Sequence, residues 1–166
     1  MPINLGSTAI SKAYVGSTAV DKIYVGATEV WSNAVVAPGR MRVGTNFQVG
    51  QSWTKVTTMI SSGDYPNTTT IVDNCLIVPA TGSYTLTGGA VFTGSLGTQI
   101  ARAVLQTGTV LAADTTGSSP SVIPSTVVSL TVGDQIRLEA QGSVNQAAYQ
   151  TISANVNSYI QIVPVS

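Results

Sequence analysis

Apolar and polar residues alternate with a period of two through most of the chain from Trp53 onward. Tyr84, Leu86 and Phe92 fall on one side of such a stretch, and Thr85 and Thr87 fall on the other. The same alternation assigns buried faces to Val128, Leu130 and Val132; Ile136, Leu138 and Ala140; Ile152, Ala154 and Val156; and Ile160 and Ile162. A period of two is that of a half-buried strand, and no stretch of ten residues keeps a helical period. About eight short strands, separated by Gly, Pro, Asn or Ser, predict an all-β sandwich or barrel.

Residues 5–31 repeat every ten residues and read LGSTAISKAY, VGSTAVDKIY and VGATEVW. Ten residues are too few for a helical repeat but suffice for an eight-residue strand and a two-residue turn. Gly followed by Ser or Ala at each turn favours a type II′ hairpin. A turn at residues 16–17 places Val15 opposite Thr18 and Ala13 opposite Val20.

The same register extends to residues farther from the turns. It pairs Lys12 with Asp21, Ile10 with Ile23, Ile3 with Ile10, and Ile23 with Val30. The four apolar residues then form one row across four strands, and a slip of one residue would scatter that row. Residues 2–31 are therefore predicted to form a four-stranded antiparallel β-meander.

Two roles remain open for this meander. It could be a small sheet packed on the main domain, but a lone meander of this size is marginal and has exposed edges that pair with other chains. We therefore favour a docking or trimer-intertwining element, whose pairing within one chain or between three chains the periodicity does not distinguish. The anchoring residues would be Ile3, Ile10, Tyr14, Ile23, Tyr24, Val30 and Trp31. The predicted organisation is an anchoring segment at 1–36, a solvated connector at 37–52 and a β-sandwich at 53–166.

The composition supports an all-β chain and excludes several functions. Thr, Val and Ile together account for 56 of the 166 residues, and these β-branched types favour pleated surfaces. Seven basic and seven acidic residues give zero net charge with no basic cluster, so we expect no nucleic-acid partner. Histidine is absent, which removes the usual general base and metal ligand. No apolar run is long enough for a membrane helix, and we expect no membrane partner.

The remaining candidate chemistry is sparse. Cys75 is the single cysteine and lies in an apolar run, so a small buried thiol is expected. The seven carboxylates show no motif that recommends a facing pair for glycoside hydrolysis. A weak calcium site built from Asp64, Asp73 or Asp114 stays open, although no loop has clustered Asp and Asn. We expect no catalytic residue and no cofactor.

Three motifs resemble the jelly-roll superfamily of tumour necrosis factor and the complement globular head. Residues 76–86 read LIVPATGSYTL and resemble its v-P-x-x-G-x-Y-x-v strand pair; residues 129–138 read SLTVGDQIRL and resemble its s-L-x-x-G-D-x-V-x-L hairpin. Residues 102–109 are similar to a segment that usually ends in Asn-Gly, with Thr107 in place of the Asn. Pro79 and Gly82 suit a turn, Asp134 is expected in a turn, and Tyr84 and Phe92 are expected in the core. The resemblance implies a jelly roll that packs around a threefold axis into a homotrimer.

The ten-residue repeat ahead of such a domain resembles bacteriophage virion proteins, including tail fibres, minor tail proteins and head decorations. That resemblance implies a structural protein made in the host cytoplasm and located in the virion, with a major capsid or tail protein as partner. A receptor-binding module that reads a host glycan or protein is the alternative, and Tyr65 and Tyr149 are its candidate contacts. The outer loops at 94–98 and 113–119 contain neither Trp nor Tyr, which favours the structural role.

Overall fold

The computed structural model describes the backbone of residues 4–5, 8–9, 13–15, 18–20, 22–25, 28–32, 38–63, 65, 71–144 and 146–165. Side chains are described from Pro38 onward within those ranges, Ala148 excepted. The chain divides into two compact units, Met1–Val36 and Ala37–Ser166. Within the described ranges no helix is long and apolar enough to cross a membrane.

The described part of the first unit consists of antiparallel hairpins on the ten-residue repeat. Its strands are β1 (Asn4–Leu5), β2 (Thr8–Ala9), β3 (Ala13–Val15), β4 (Thr18–Val20), β5 (Lys22–Val25) and β6 (Thr28–Ser32). They form three two-stranded sheets, β1 with β2, β3 with β4 and β5 with β6. The predicted pairs Val15 with Thr18 and Ala13 with Val20 are confirmed.

In the third hairpin the predicted pairing is wrong for the residues that lie farther from the turn. Ile23 pairs with Trp31 instead of Val30, because a β-bulge follows Ile23 and adds one residue to the facing strand. Ile3, Ile10, Lys12 and Asp21 lie outside the described residues. The described pairs join strands only across their own turns, so the row across four strands stays a prediction.

The second unit is a β-sandwich. Its strands are β7 (Gly39–Val43), β8 (Phe47–Gln48), β9 (Thr54–Lys55), β10 (Met59–Ser61), β11 (Ile71–Val72), β12 (Cys75–Ile77), β13 (Gly82–Ala90), β14 (Gln99–Leu105), β15 (Val110–Ala113), β16 (Ser121–Leu130), β17 (Gln135–Gly142), β18 (Thr151–Ile152) and β19 (Tyr159–Pro164), with a single-turn helix α1 (Ala147–Gln150). One sheet has the order β10-β7-β19-β13-β16. The other has the order β11-β12-β17-β14-β15, and β9 joins it beside β17. The pair β18 and β8 lies apart from both sheets.

The predicted connector at 37–52 is wrong for its central residues, because β7 is an inner strand of the five-stranded sheet. Met41 and Val43 are fully buried, while Arg40 and Arg42 alternate with them and are only half-buried. Their strand period was present in the sequence. The two arginines made the segment resemble a solvated loop, but each occupies the outward position of a strand.

The core lies between the two sheets and contains most of the predicted apolar positions. Tyr84 and Phe92 are buried, as expected, and the Tyr84 hydroxyl donates to the Ala80 carbonyl at 2.6 Å. Burial raises the pKa of the Tyr84 hydroxyl. Leu86, Ile136, Leu138, Ile152, Ile160 and Ile162 are all buried as well.

Three predicted core positions, Val132, Ala154 and Val156, are wrong, because all three are exposed. Val132 is 60% exposed and Val156 is 61% exposed, because the strands that precede them end at Leu130 and Ile152. The alternation continues past each strand end in the sequence, but the backbone turns away. Val132 lies in the tight turn before β17, where Gly133 has a φ of +88° and the Asp134 carboxylate accepts the Thr131 N–H at 2.8 Å. Asp134 is therefore a turn residue, as predicted.

The strand β16 forms an edge of the five-stranded sheet and is interrupted in its middle. Leu86 pairs with Thr126 and Gly88 pairs with Ile123, so Pro124 and Ser125 together face only Thr87. This is a β-bulge, and it contains a residue without a backbone N–H.

Candidate functional site

The outer surface of the five-stranded sheet carries Arg40 and Arg42 on β7 and neutral side chains on β13, β16 and β19. Tyr84 and Leu86 point into the core, so Thr85 between them points outward. Thr85 pairs with Val127 on one side and with Val163 on the other. Farther along, Gly89 pairs with Val122 and with Tyr159. We call Thr85, Val122, Val127, Tyr159 and Val163 the neutral face.

The two valines of β16 are unusually exposed for apolar side chains. Val122 is 59% exposed and Val127 is 65% exposed. Exposed apolar side chains also occur at the opposite edge of the sandwich, where Ile60 of β10 and Val72 of β11 are 42% and 49% exposed. Apolar surface at one face and at both edges is typical of a protein that is covered by a partner.

A groove crosses one end of the neutral face. We call it the Gly89 groove; its volume is about 390 Å³ and its lining includes Gly88, Gly89, Val122, Asn155, Asn157 and Tyr159. A Cβ on Gly89 would lie 2.7 Å from the Ser121 carbonyl oxygen, and a Cβ on Gly88 would lie 2.9 Å from that of Tyr159. Only glycine therefore allows the backbone of β13 to approach its two neighbours here, and the missing side chain of Gly89 leaves the floor of the groove open.

A buried carboxylate holds one wall of the groove. Asp114, after β15, accepts the Ser121 hydroxyl at 2.7 Å and both the N–H and the hydroxyl of Thr116 at 2.7 Å. The Ser121 oxygen also accepts the Ala101 N–H at 2.8 Å, which ties β16 to β14 of the other sheet. Burial alone would raise the pKa of the Asp114 carboxyl, but the hydrogen bonds from Ser121 and Thr116 outweigh burial and lower that pKa.

The opposite wall is held by hydrogen bonds and by a cation. The Ser158 hydroxyl accepts the Val91 N–H at 3.0 Å, and the Asn155 side-chain oxygen accepts the Asn157 N–H at 2.8 Å. The Arg40 guanidinium carbon lies 4.0 Å from the centroid of the Tyr159 ring, and Arg40 also donates to the Val156 carbonyl. Both walls are therefore fixed by contacts outside the groove.

The outer surface of the six-stranded sheet carries paired charges. Glu139 accepts Arg102 at 2.7 Å and Arg137 at 2.7 Å through its two carboxylate oxygens, and its side chain is only 7% exposed. Lys55, the strand neighbour of Glu139, pairs with Asp73 at 2.6 Å. We call Lys55, Asp73, Arg102, Arg137 and Glu139 the charged face.

Trp53 and Cys75 contact residues of the charged face: Trp53 contacts Arg102, and the Cys75 thiol donates to the Asp73 carbonyl. The Arg102 guanidinium carbon lies 4.0 Å from the centroid of the Trp53 ring, so Trp53 packs on the charged face of the sandwich. Cys75 is fully buried, as expected, and burial raises the pKa of its thiol. A buried thiol with a raised pKa is chemically inert.

The predicted anchoring residues fall on strands where they are described. Tyr14 lies in β3, Ile23 and Tyr24 lie in β5, and Val30 and Trp31 lie in β6. Ile3 and Ile10 lie outside the described residues, and no side-chain contact of this set is described. Their role in anchoring stays a prediction.

The two tyrosines predicted as outer contacts occupy different surroundings. Tyr65 is half-buried, and its ring centroid lies 5.8 Å from the Arg40 guanidinium carbon, which also contacts the groove residue Tyr159. Tyr149 is half-buried in α1, and its carbonyl accepts the Gln99 amide. No described contact joins them, so the structure does not assemble them into one site.

The carboxylates considered for calcium are separated in the part of the chain that the structure describes. Asp73 pairs with Lys55, which lowers the pKa of Asp73 by a hydrogen bond and by its charge, whereas Asp114 is held by Ser121 and Thr116. Asp64 lies outside the described residues. No group of three His, Cys, Asp or Glu side chains that could hold a metal ion occurs among the described residues.

Comparisons with known proteins identify the fold of the second unit through its likeness to solved structures. No protein-family model and no curated protein matches the sequence. Among solved structures, the Eiger TNF of S. frugiperda matches with a TM-score of 0.56 at 12% identity, over 78% of this chain and 92% of that one. Murine APRIL matches with a TM-score of 0.54 at 15% identity, over 78% of this chain and 98% of that one. At these identities the likeness establishes the TNF-like jelly roll and nothing about activity.

Proposed function

We propose that this chain is a structural protein of a bacteriophage virion, present as a homotrimeric surface decoration or fibre. Its jelly roll projects from the particle, and its N-terminal repeats anchor it to a major capsid or tail protein. The neutral face is the observation that carries the proposal, because Val127, which lies outside the Gly89 groove, is 65% exposed in the single chain and another copy would cover it.

Covering such a face stabilises an assembly at little cost. Apolar burial contributes about 25 cal/mol per Å², and the neutral face contains no ionised side chain that would lose hydration. The jelly-roll resemblance supplies the expectation of threefold packing. With seven charges of each sign in the whole chain, assembly through this face would depend only weakly on salt.

The N-terminal repeats support the anchoring part of the proposal. Two-stranded sheets such as those formed by β1 to β6 are marginal alone in water, so a partner that extends them would stabilise them. The resemblance of the repeats to phage virion proteins implies that this partner is another virion protein. The role is structural and requires no catalysis.

A receptor-binding tail module is the second candidate function. The Gly89 groove favours it, because a concave surface with a tyrosine and two asparagines can hold a ligand. Tyr65 and Tyr149 remain its predicted outer contacts.

Light scattering tests the assembly directly. The mass of the full chain is measured beside that of a chain beginning at Ala37, where the second compact unit starts. Three chains per particle in both samples would support a trimer formed by the jelly roll, with the repeats left free for docking. A trimer that dissolves on truncation would make the repeats the assembly element, and monomers in both would overturn the proposed trimer.

A further inference from the structure

The Gly89 groove has the chemistry of a small-ligand site. Its volume of about 390 Å³ lies within the range of pockets that hold small molecules. Tyr159 offers an aromatic surface, Asn155 and Asn157 offer amide groups, and Val122 offers an apolar wall. No described side chain that lines the groove is ionisable at neutral pH.

We propose that the Gly89 groove binds one neutral pyranose unit of a glycan. A pyranose ring presents an apolar face of C–H groups and a rim of hydroxyls, so it needs a flat apolar surface and neutral groups that both donate and accept. An aromatic ring supplies the first, and an asparagine amide, with two donor hydrogens and one acceptor oxygen, supplies the second. A cationic ligand would find no countercharge among these lining side chains.

The groove is also held in shape before any ligand arrives. The Asp114–Ser121 hydrogen bond fixes the wall on β16, and Arg40 fixes the Tyr159 ring by stacking at 4.0 Å. The floor is the bare backbone of Gly88 and Gly89, which cannot close over the space. A site that needs no reorganisation loses less affinity to ordering.

The inference rests on the second candidate function, whose ligand it names, and it requires that copies of the chain meet at the Val127 end of the neutral face and leave the Gly89 groove open. The test uses the full chain and four probes, glucose, galactose, mannose and N-acetylglucosamine, titrated separately by protein-observed NMR. At least one probe is expected to bind with a Kd of about 1 mM, as is usual for a single small ligand with few contacts.

Variants locate the binding. Val122→Trp fills the groove, and Tyr159→Leu removes the aromatic surface; each is expected to weaken binding about tenfold or more, whereas Tyr159→Phe keeps the ring and the affinity. Val132→Trp is the matched control, because Val132 is 60% exposed against 59% for Val122 but lies in the turn after β16. The mass of every variant is measured, so that a change of assembly is seen separately.

Two results would overturn the inference. One is that none of the four sugars binds the full chain; if Val122→Trp then lowers the mass, the groove is a contact between copies. The other is that Val122→Trp and Val132→Trp bind equally well or equally poorly, which would place the sugar elsewhere. A trimer without sugar binding leaves the proposed assembly intact, and a monomer that binds sugar leaves this inference intact.

Discussion

The two outer faces of the sandwich differ in how many charged side chains they carry and in how those side chains are paired. On the six-stranded sheet, Glu139 is almost fully covered and shared by Arg102 and Arg137. On the five-stranded sheet, the positions at the centre and at the β16 edge carry Thr85, Val122 and Val127. The charges described on the strands of the five-stranded sheet are Arg40 and Arg42 of β7, so the part of that sheet formed by β13 and β16 is neutral.

The distribution of charged side chains indicates which of the two outer faces is suited to a partner. The ion pairs of the charged face compensate one another within the chain, so this surface is complete when it faces water. The neutral face leaves apolar area uncovered and has no charges whose hydration would be lost on contact. That contrast supports the proposed assembly through the neutral face with the charged face left in water, and three variants test the proposal.

The largest effect is expected from a charge placed on the neutral face. Val127→Asp would bury one unpaired carboxylate per copy in the proposed interface, so the trimer should fall to single chains. Light scattering measures the mass. Val132→Asp is the control, because Val132 is as exposed as Val127 but lies in a turn. A Val127→Asp protein that keeps three chains would show that the neutral face is not the interface.

The next effect is expected from a charge removed from the charged face. Glu139→Gln leaves Arg102 and Arg137 without their shared carboxylate and should lower the free energy of unfolding by about 3 kcal/mol. The trimer mass should not change, since this face does not take part in assembly. Urea unfolding at one fixed protein concentration measures the stability.

Asp73→Asn is the control for that measurement, because Asp73 is 63% exposed and also belongs to the charged face. It should change the stability much less, since solvent screens an exposed pair. Equal losses from the two variants would show that the Glu139 pairs contribute no more than a surface ion pair.

The smallest effect concerns Asp114, which joins the two sheets at the groove end. Its pKa is lowered in the folded chain, so its contribution is fully present above the pKa of an unfolded aspartate and is lost as the pH falls through the folded value. Asp114→Asn should cost about 2 kcal/mol near neutral pH and should flatten the loss of stability in acid. Unfolding midpoints from neutral pH to about pH 3 measure both effects, with Asp134→Asn as the turn control. An unchanged acid profile would refute this role for Asp114.

Much of the fold could be predicted because local rules agreed with the final structure. The β-branched composition predicted strands, and the Gly-Ser turn fixed the pairs Val15 with Thr18 and Ala13 with Val20. Tyr84 and Asp134, which carry the jelly-roll resemblance, occupy the core and the turn expected of them. Each of these features depends on residues that are close together in the sequence.

The candidate site could not be predicted because it depends on distant residues. The Gly89 groove joins β13, β16 and the segment before β19, and Glu139 meets Arg102 across 37 positions. Gly88 and Gly89, two adjacent glycines inside β13, were the one local signal that the backbones of neighbouring strands approach closely here. The connector was wrong for a related reason, since only the neighbouring strands β10 and β19 determine that Arg40 and Arg42 belong to a sheet.

The bulge at Pro124 has a consequence for how many copies can join. An uninterrupted edge strand offers a row of N–H and C=O groups on which further chains can add without limit, as in a fibril. In β16 that row is broken by a residue with no N–H and by the kink around it. A further strand therefore cannot pair along the whole of β16, and in the proposed trimer the copies would meet at this edge through side chains. Side-chain packing that is closed by symmetry stops at a fixed number of copies, and a higher protein concentration does not enlarge the assembly.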